Sequence, residues 1–172
     1  MNLIPVSVSA YALFYGSLLS VLLSIMILWS LWINPEMWLH DAPKGIQESH
    51  GPMSAKAKRQ RALFVIPFFA VVIGVPWWAL YQLPAATGEP YTFGTVFTTL
   101  FVMFMLFNLV DLVLIDWLIV EAWRPRFLRR GRLGQLMTKR YYLFHFIGFC
   151  KGSVGLTLVS LLVAGVLAAV TG

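Results

Sequence analysis

Asp111, Asp116 and Glu121 fall in one long apolar stretch of this chain, and His145 and Lys151 fall in the next. Carboxylates, an imidazole and an ammonium are the groups that pair as ions, relay protons or hold a small ligand. Inside a hydrocarbon layer they are costly unless they face a protein interior or one another. If the two stretches are antiparallel helices, Asp111 lies level with Lys151 and Asp116 level with His145. At about 1.5 Å per residue, Asn108 and Ser153 then sit near the midplane, and the Asp111/Lys151 level lies roughly 4 Å to one side of it. The Asp116/His145 level comes about a turn and a half further along. The expectation is a ladder, with a stable ion pair above a protonation-sensitive one, because a close opposite charge favours both ionised forms and histidine titrates near neutrality without help.

Projection at about 100° per residue supports two facing polar surfaces. Asn108, Asp111 and Asp116 share an arc of about 140°, with Glu121 pointing elsewhere near the interface. His145, Gly148, Lys151, Gly152 and Gly155 share an arc of about 120° on the other helix. Gly148 and Gly152 form a GxxxG pair of the kind that lets two backbones approach closely.

Such a seam has three uses: fixing helix register and partner choice, carrying a proton or ion, or lining a small-ligand or enzymatic pocket. Only Asp116 with His145 approaches an acid–base set, no third orienting group is evident, and enzymatic activity is not expected. A haem held between helices needs two axial ligands, and His145 is the only histidine in an apolar stretch. A lysine opposite an acid stays protonated and makes a poor Schiff-base former. No cofactor is expected. Glu36, His40, Asp41, Glu48 and His50 are metal-ligand types without a recognised metal-site spacing, which reads as a solvated loop with caps and no metal. The single cysteine, Cys150, reads as a structural thiol.

These groups need elements to hold them, and composition says which. At 59% hydrophobic and 12% charged in 172 residues, the chain has more apolar surface than a soluble core of this size hides. About 20 apolar residues cross the hydrocarbon as a helix, and four stretches qualify, at residues 11–33, 62–83, 93–120 and 143–170. The fold class expected is all-α: an integral membrane four-helix bundle. Twelve of the thirteen Lys and Arg residues fall in the segments 34–61 and 121–142, which the positive-inside rule places in the cytoplasm, leaving both termini outside. Trp29, Trp32, Trp38, Trp117 and Trp123 mark the inner interface, and Tyr11, Tyr15, Trp77, Trp78 and Tyr81 the outer one, in agreement with the charges. Residues 1–10 have no basic lead of the signal-peptide kind, so the first span is expected to be retained. The membrane expected is a bacterial-type cytoplasmic (inner) membrane.

Gly16, Ser20 and Ser24 recur every four residues and form a small-residue packing stripe on the first span. Asn34-Pro35 stops that helix, Asp41 is placed to cap a short helix through about His50, and Ser54 to cap the second span. Pro67, Gly74 and Pro76 predict a static kink in the second span. In the basic segment, Arg124, Arg126, Arg129, Arg130, Arg132, Lys139 and Arg140 interleave with Phe127, Leu128, Leu133, Leu136 and Met137. That pattern predicts a stretch lying on the bilayer against anionic lipid headgroups, each cation contributing about 1 kcal/mol, and argues against nucleic acid.

The segments Asp111-Leu-Val-Leu-Ile-Asp116-Trp117, Arg124-Pro-Arg-Phe127, Phe144-His-Phe-Ile-Gly-Phe-Cys-Lys-Gly152 and Asn34-Pro-Glu-Met-Trp-Leu-His-Asp-Ala-Pro43 resemble those of a family of small bacterial four-span membrane proteins. The resemblance implies a common architecture and carries over no biochemical activity. The Arg-rich link before the fourth span is shorter and more basic here than in that family. The functional expectation is a non-catalytic bundle protein that packs or regulates a membrane partner or a second copy of itself. The alternative is a small proton- or ion-linked transporter or channel using the seam.

Overall fold

Three of the four long helices begin at a residue whose side chain satisfies an orphan amide. In the computed structural model, which describes residues 6–171, the Ser7 hydroxyl accepts from the Ala10 amide to open α1 (Val8–Ile33). The segment expected to be retained at the N-terminus falls partly on residues 1–5, outside the described residues. Asn34 ends α1, and its side chain accepts the Glu36 amide to start a 3₁₀ turn, Pro35–Asp41. The short helix α2 (Lys44–His50) follows. Ser54 caps α3 (Ala55–Thr87), its hydroxyl accepting from the Ala57 amide, and Gly88 closes that helix in the left-handed region. A reciprocal Thr92/Thr95 capping box opens α4 (Phe93–Val110). From Asp111 to Trp123 the same helix continues as a π-helix. The short α5 (Gly131–Leu136) and then α6 (Tyr142–Thr171) complete the chain.

The protein is an all-α, membrane-embedded helical bundle. Four helices are long and apolar enough to span a bilayer: α1, α3, α4 with its π segment, and α6. The α3 helix runs through Pro67 and Pro76, and through Pro84 as well, so its end lies beyond the stretch expected from hydropathy.

Helices α1 and α4 form the central pair, α3 packs on α1 and α6 on α4, while α3 and α6 have no packed interface with one another. Of its most apolar window, α1 has 39% buried within the protein and α6 only 11%, so α6 turns most of its surface outward, as a lipid-facing helix does. The central contact depends on Gly16, where an added Cβ would lie 3.0 Å from the Met103 Cα. Ser20 and Ser24 continue the stripe and are both buried. The Ser20 hydroxyl donates to the Gly16 carbonyl at 2.7 Å, whereas the Ser24 hydroxyl has no partner among the described residues. Away from the long loops the interior is apolar, built on Leu19, Leu23, Leu83, Val96, Leu100 and Met103, and the Tyr11 hydroxyl ties α1 to α3 by donating to the Ala79 carbonyl at 2.6 Å.

The two long loops fold onto each other at the other end. Leu39, Ile46, Met53, Ala57 and Leu133 form a small core there, and Arg132 donates to the Ser49 carbonyl at 3.0 Å. Two expectations change. Leu128 and Leu133 turn into the protein instead of lying on a bilayer surface, Leu128 against Ile27 and Leu31 of α1 and Ile115, Ile119 and Val120 of the π segment, Leu133 against the apolar face of the first loop. Asp41 does not cap α2; it pairs with Arg61 at 3.0 Å, and α2 starts after Pro43 without a side-chain cap.

The glycines of α6 are unequal. An added Cβ at Gly152 would meet the Asn108 amide oxygen at 3.0 Å, whereas at Gly148 and Gly155 it would meet nothing within 4 Å. Within this chain the GxxxG pair therefore packs at one glycine only, and Gly155 meets no other helix among the described residues.

Substitution should separate these positions. Gly16→Val, forced against Met103, is expected to destabilise by about 1–3 kcal/mol, while Gly155→Ala leaves stability essentially unchanged. Ser24→Ala removes a buried hydroxyl without a partner and should raise the melting temperature. Thermal melting of the three variants in detergent checks the order.

Candidate functional site

Helix winding decides where the acids point. On an α-helix, residues five apart lie about 140° round from one another, which would carry Glu121 off the face of Asp116. Over Asp111–Trp123 the backbone makes i→i+5 bonds, and the Arg124 amide closes the last turn on the Ile119 carbonyl at 2.9 Å. That wider turn brings residues five apart back toward one face. Asp111, Asp116 and Glu121 are spaced at fives, so all three reach the same side. Glu121 is thus not peripheral, as a uniform α projection expects; it is fully buried, with 0% exposure.

The histidine of α6 sits between two of these acids. Its Nδ1 lies 3.0 Å from Asp116 Oδ2 and its Nε2 lies 3.2 Å from Glu121 Oε1. The other Glu121 oxygen accepts from Arg124 Nη2 at 2.9 Å. Both ring nitrogens face carboxylate oxygens, so a neutral ring with one N–H leaves one of these contacts without a proton between its two atoms. With an imidazolium every contact has one, and Asp116, Glu121, His145 and Arg124 are then neutral as a unit.

The basic loop locks this quartet. Arg124 adopts left-handed backbone angles (φ 48°, ψ 62°), the only non-glycine to do so among the described residues. Its guanidinium donates to the Met137 carbonyl at 2.8 Å and to the Lys139 carbonyl, while Arg140 donates to the Glu121 carbonyl. Three residues expected to meet lipid headgroups, Arg124, Arg132 and Arg140, are thus engaged in internal hydrogen bonds. Arg132 and Arg140 are exposed all the same, as are Arg126, Arg129, Arg130 and Lys139.

At the other end of the seam, the Asn108 amide donates to the Ser153 hydroxyl at 2.9 Å and to the Phe149 carbonyl at 3.1 Å. The expected level match between Asn108 and Ser153 becomes a contact. The Asp111–Lys151 pair does not form. Matching heights say nothing about azimuth, and the face of α6 that docks on α4 is set by His145, Phe149, Gly152 and Ser153. Lys151 is two residues on from Phe149, about 200° round the helix, and it is exposed. Among the described residues, neither it nor Asp111 has an ion-pair or side-chain hydrogen-bond partner.

Asp111, Asp116, Glu121, His145 and Asn108 line a cavity of about 550 Å³ at the loop end of the bundle. Its walls are apolar and aromatic: Ile27 and Leu31 of α1, Phe68 of α3, Phe107 of α4, Phe144 and Phe149 of α6. Trp38, Leu133 and Met137 from the two loops cover it. Sequence reasoning missed Glu121 and Arg124 as site residues, and missed the loop cover entirely. The acids' five-residue repeat was the one signal pointing to the first. No family model, curated protein or solved structure matches this chain.

Two outcomes follow. Glu121→Gln leaves Arg124 and His145 without their shared counter-charge and is expected to cost about 3–5 kcal/mol in a melting assay. Asp111→Asn and Lys151→Met do not touch, so their effects should add to within about 0.5 kcal/mol in the double variant.

Proposed function

We propose that this protein is a small non-catalytic membrane protein with an accessory or regulatory role, acting on a membrane partner or on a second copy of itself, and that its polar seam does not conduct. The observation that carries this reading is where the polar groups stop. Beyond Asn108 and Ser153, the hydroxyls of Ser20, Thr99, Thr157 and Ser160 each donate to a carbonyl of their own helix, at 2.7–2.8 Å. The space between those helices is filled by apolar side chains. A conducting lane needs polar groups or water across that half as well.

A second reading, a small proton- or ion-linked transporter or channel, draws on one specific observation. His145 bridges two carboxylates, and Asp111 stands five residues away on the same face. That is the chemistry of a proton relay. It accounts for half a path only.

The distribution of Lys and Arg supports a bacterial-type inner membrane topology with the two long loops in the cytoplasm and both termini outside, and the exposed Arg126, Arg129, Arg130 and Lys139 then face anionic headgroups. Cysteine labelling from outside intact cells should reach a cysteine introduced near Glu89 and none introduced between Lys44 and Arg61. The reverse pattern inverts the orientation.

Flux decides between the two functional readings. Proteoliposomes loaded with a pH-sensitive dye should show no proton or cation leak above empty liposomes between pH 5 and 8, in an assay that detects a known carrier. A leak that His145→Phe and Asp116→Asn each abolish, in protein that still folds, would replace the accessory reading with transport.

A further inference from the structure

We propose that the cavity at the loop end is a binding site for a lipophilic organic cation carrying a single charge, admitted from the bilayer between α3 and α6. The proposal goes beyond the accessory reading, which assigns the cavity no ligand.

Three observations converge on that class. The volume, about 550 Å³, lies within the range of small-molecule sites. The lining is mostly apolar, with the aromatic rings of Phe68, Phe107, Phe144 and Phe149 and the Trp38 indole, surfaces that bury hydrocarbon and attract a cation over their faces. The polar groups on the wall are unbalanced: Asp116 and Glu121 are matched by His145 and Arg124, but Asp111 lines the same cavity with no partner among the described residues. A carboxylate against an apolar wall is balanced by a proton or by a bound cation, and an occupant carrying one positive charge completes the set.

Access follows from the packing. Phe68 of α3 and Phe144 and Phe149 of α6 stand on the cavity wall, and these two long helices have no packed interface with one another. The proposed route to the acids runs from the lipid between these two helices, since the folded loops cover the end of the bundle. Other occupants fit less well. An anion would meet four carboxylates, Asp41, Asp111, Asp116 and Glu121. A calcium or magnesium ion wants six or more oxygen ligands, or keeps its own water, and finds one unpaired carboxylate among hydrocarbon walls. A phospholipid amine carries its phosphate only a few atoms away, which would face Asp116 and Glu121.

The test is equilibrium binding of radiolabelled tetraphenylphosphonium to the full chain in an uncharged detergent. Saturable binding near one cation per chain is expected, with neutral triphenylphosphine oxide a poor competitor. Asp111→Asn should weaken binding roughly tenfold or more, the factor carried by a lost interaction with a charged group. Gly148→Leu gives an independent variant, because Gly148 lines the cavity and a Cβ added there would meet nothing within 4 Å. It should block binding while the protein stays monodisperse and melts normally. Lys151→Met, on the outer side of α6, should bind as the unchanged protein does. Non-saturable uptake, equal competition by the neutral analogue, or unchanged affinity in both Asp111→Asn and Gly148→Leu would overturn the proposal. Such a failure leaves the non-conducting reading intact, since that rests on flux.

Discussion

The contact on which the loop end of this protein depends is the buried carboxylate of Glu121, shared between His145 of α6 and Arg124 at the end of the π segment. A carboxylate with no exposure at all is tolerable only when both its oxygens are satisfied and its charge is matched. Each partner brings a different element with it. His145 holds the start of α6 against the π-helix, and Arg124 gathers the carbonyls of residues 137 and 139 beneath it. One side chain therefore joins two spans and a loop that hydropathy alone would leave unrelated.

That contact exists because the helix changes pitch. An α-helical continuation past Asp111 would turn Glu121 away from His145, and its carboxylate would need another counter-charge. The i→i+5 winding resolves the geometry by aligning acids spaced at fives, at the expense of the tighter α hydrogen bonding. Segments of this winding are rare and are often found at functional sites. Here the π segment carries every acid that lines the intramembrane part of the cavity.

Close backbone approach does the complementary work deeper in the bundle. Gly16 against Met103 seats α1 on α4, and Gly152 against the Asn108 amide seats α6 on the opposite side of α4. Without a hydrophobic force between helices in lipid, van der Waals contact at small residues is what remains to hold them, together with interhelical hydrogen bonds such as Asn108–Ser153. The same economy explains why α3 and α6 stay apart. Each has its neighbour in the central pair, α3 on α1 and α6 on α4.

Hydropathy along the chain by itself determined the four long helices, and local capping chemistry their starts at Ser54 and, through Asn34-Pro35, the stop of α1, because burial in hydrocarbon and helix capping are properties of neighbouring residues. The height of each seam residue was legible for the same reason: rise per residue is nearly constant, so Asn108 meets Ser153 and Asp116 meets His145. Azimuth was not. Whether Lys151 faces Asp111 or the lipid depends on which side of α6 docks on α4, and Gly152 and Asn108 settle that by steric fit between segments more than forty residues apart. Likewise the turning inward of Leu128 required α1 and the π segment as partners and that of Leu133 the first loop, and the role of Glu121 required a helix pitch that no residue-by-residue periodicity assumes. The tertiary structure decided these points because each is a contact between distant segments, whose free energy is absent until both are in place.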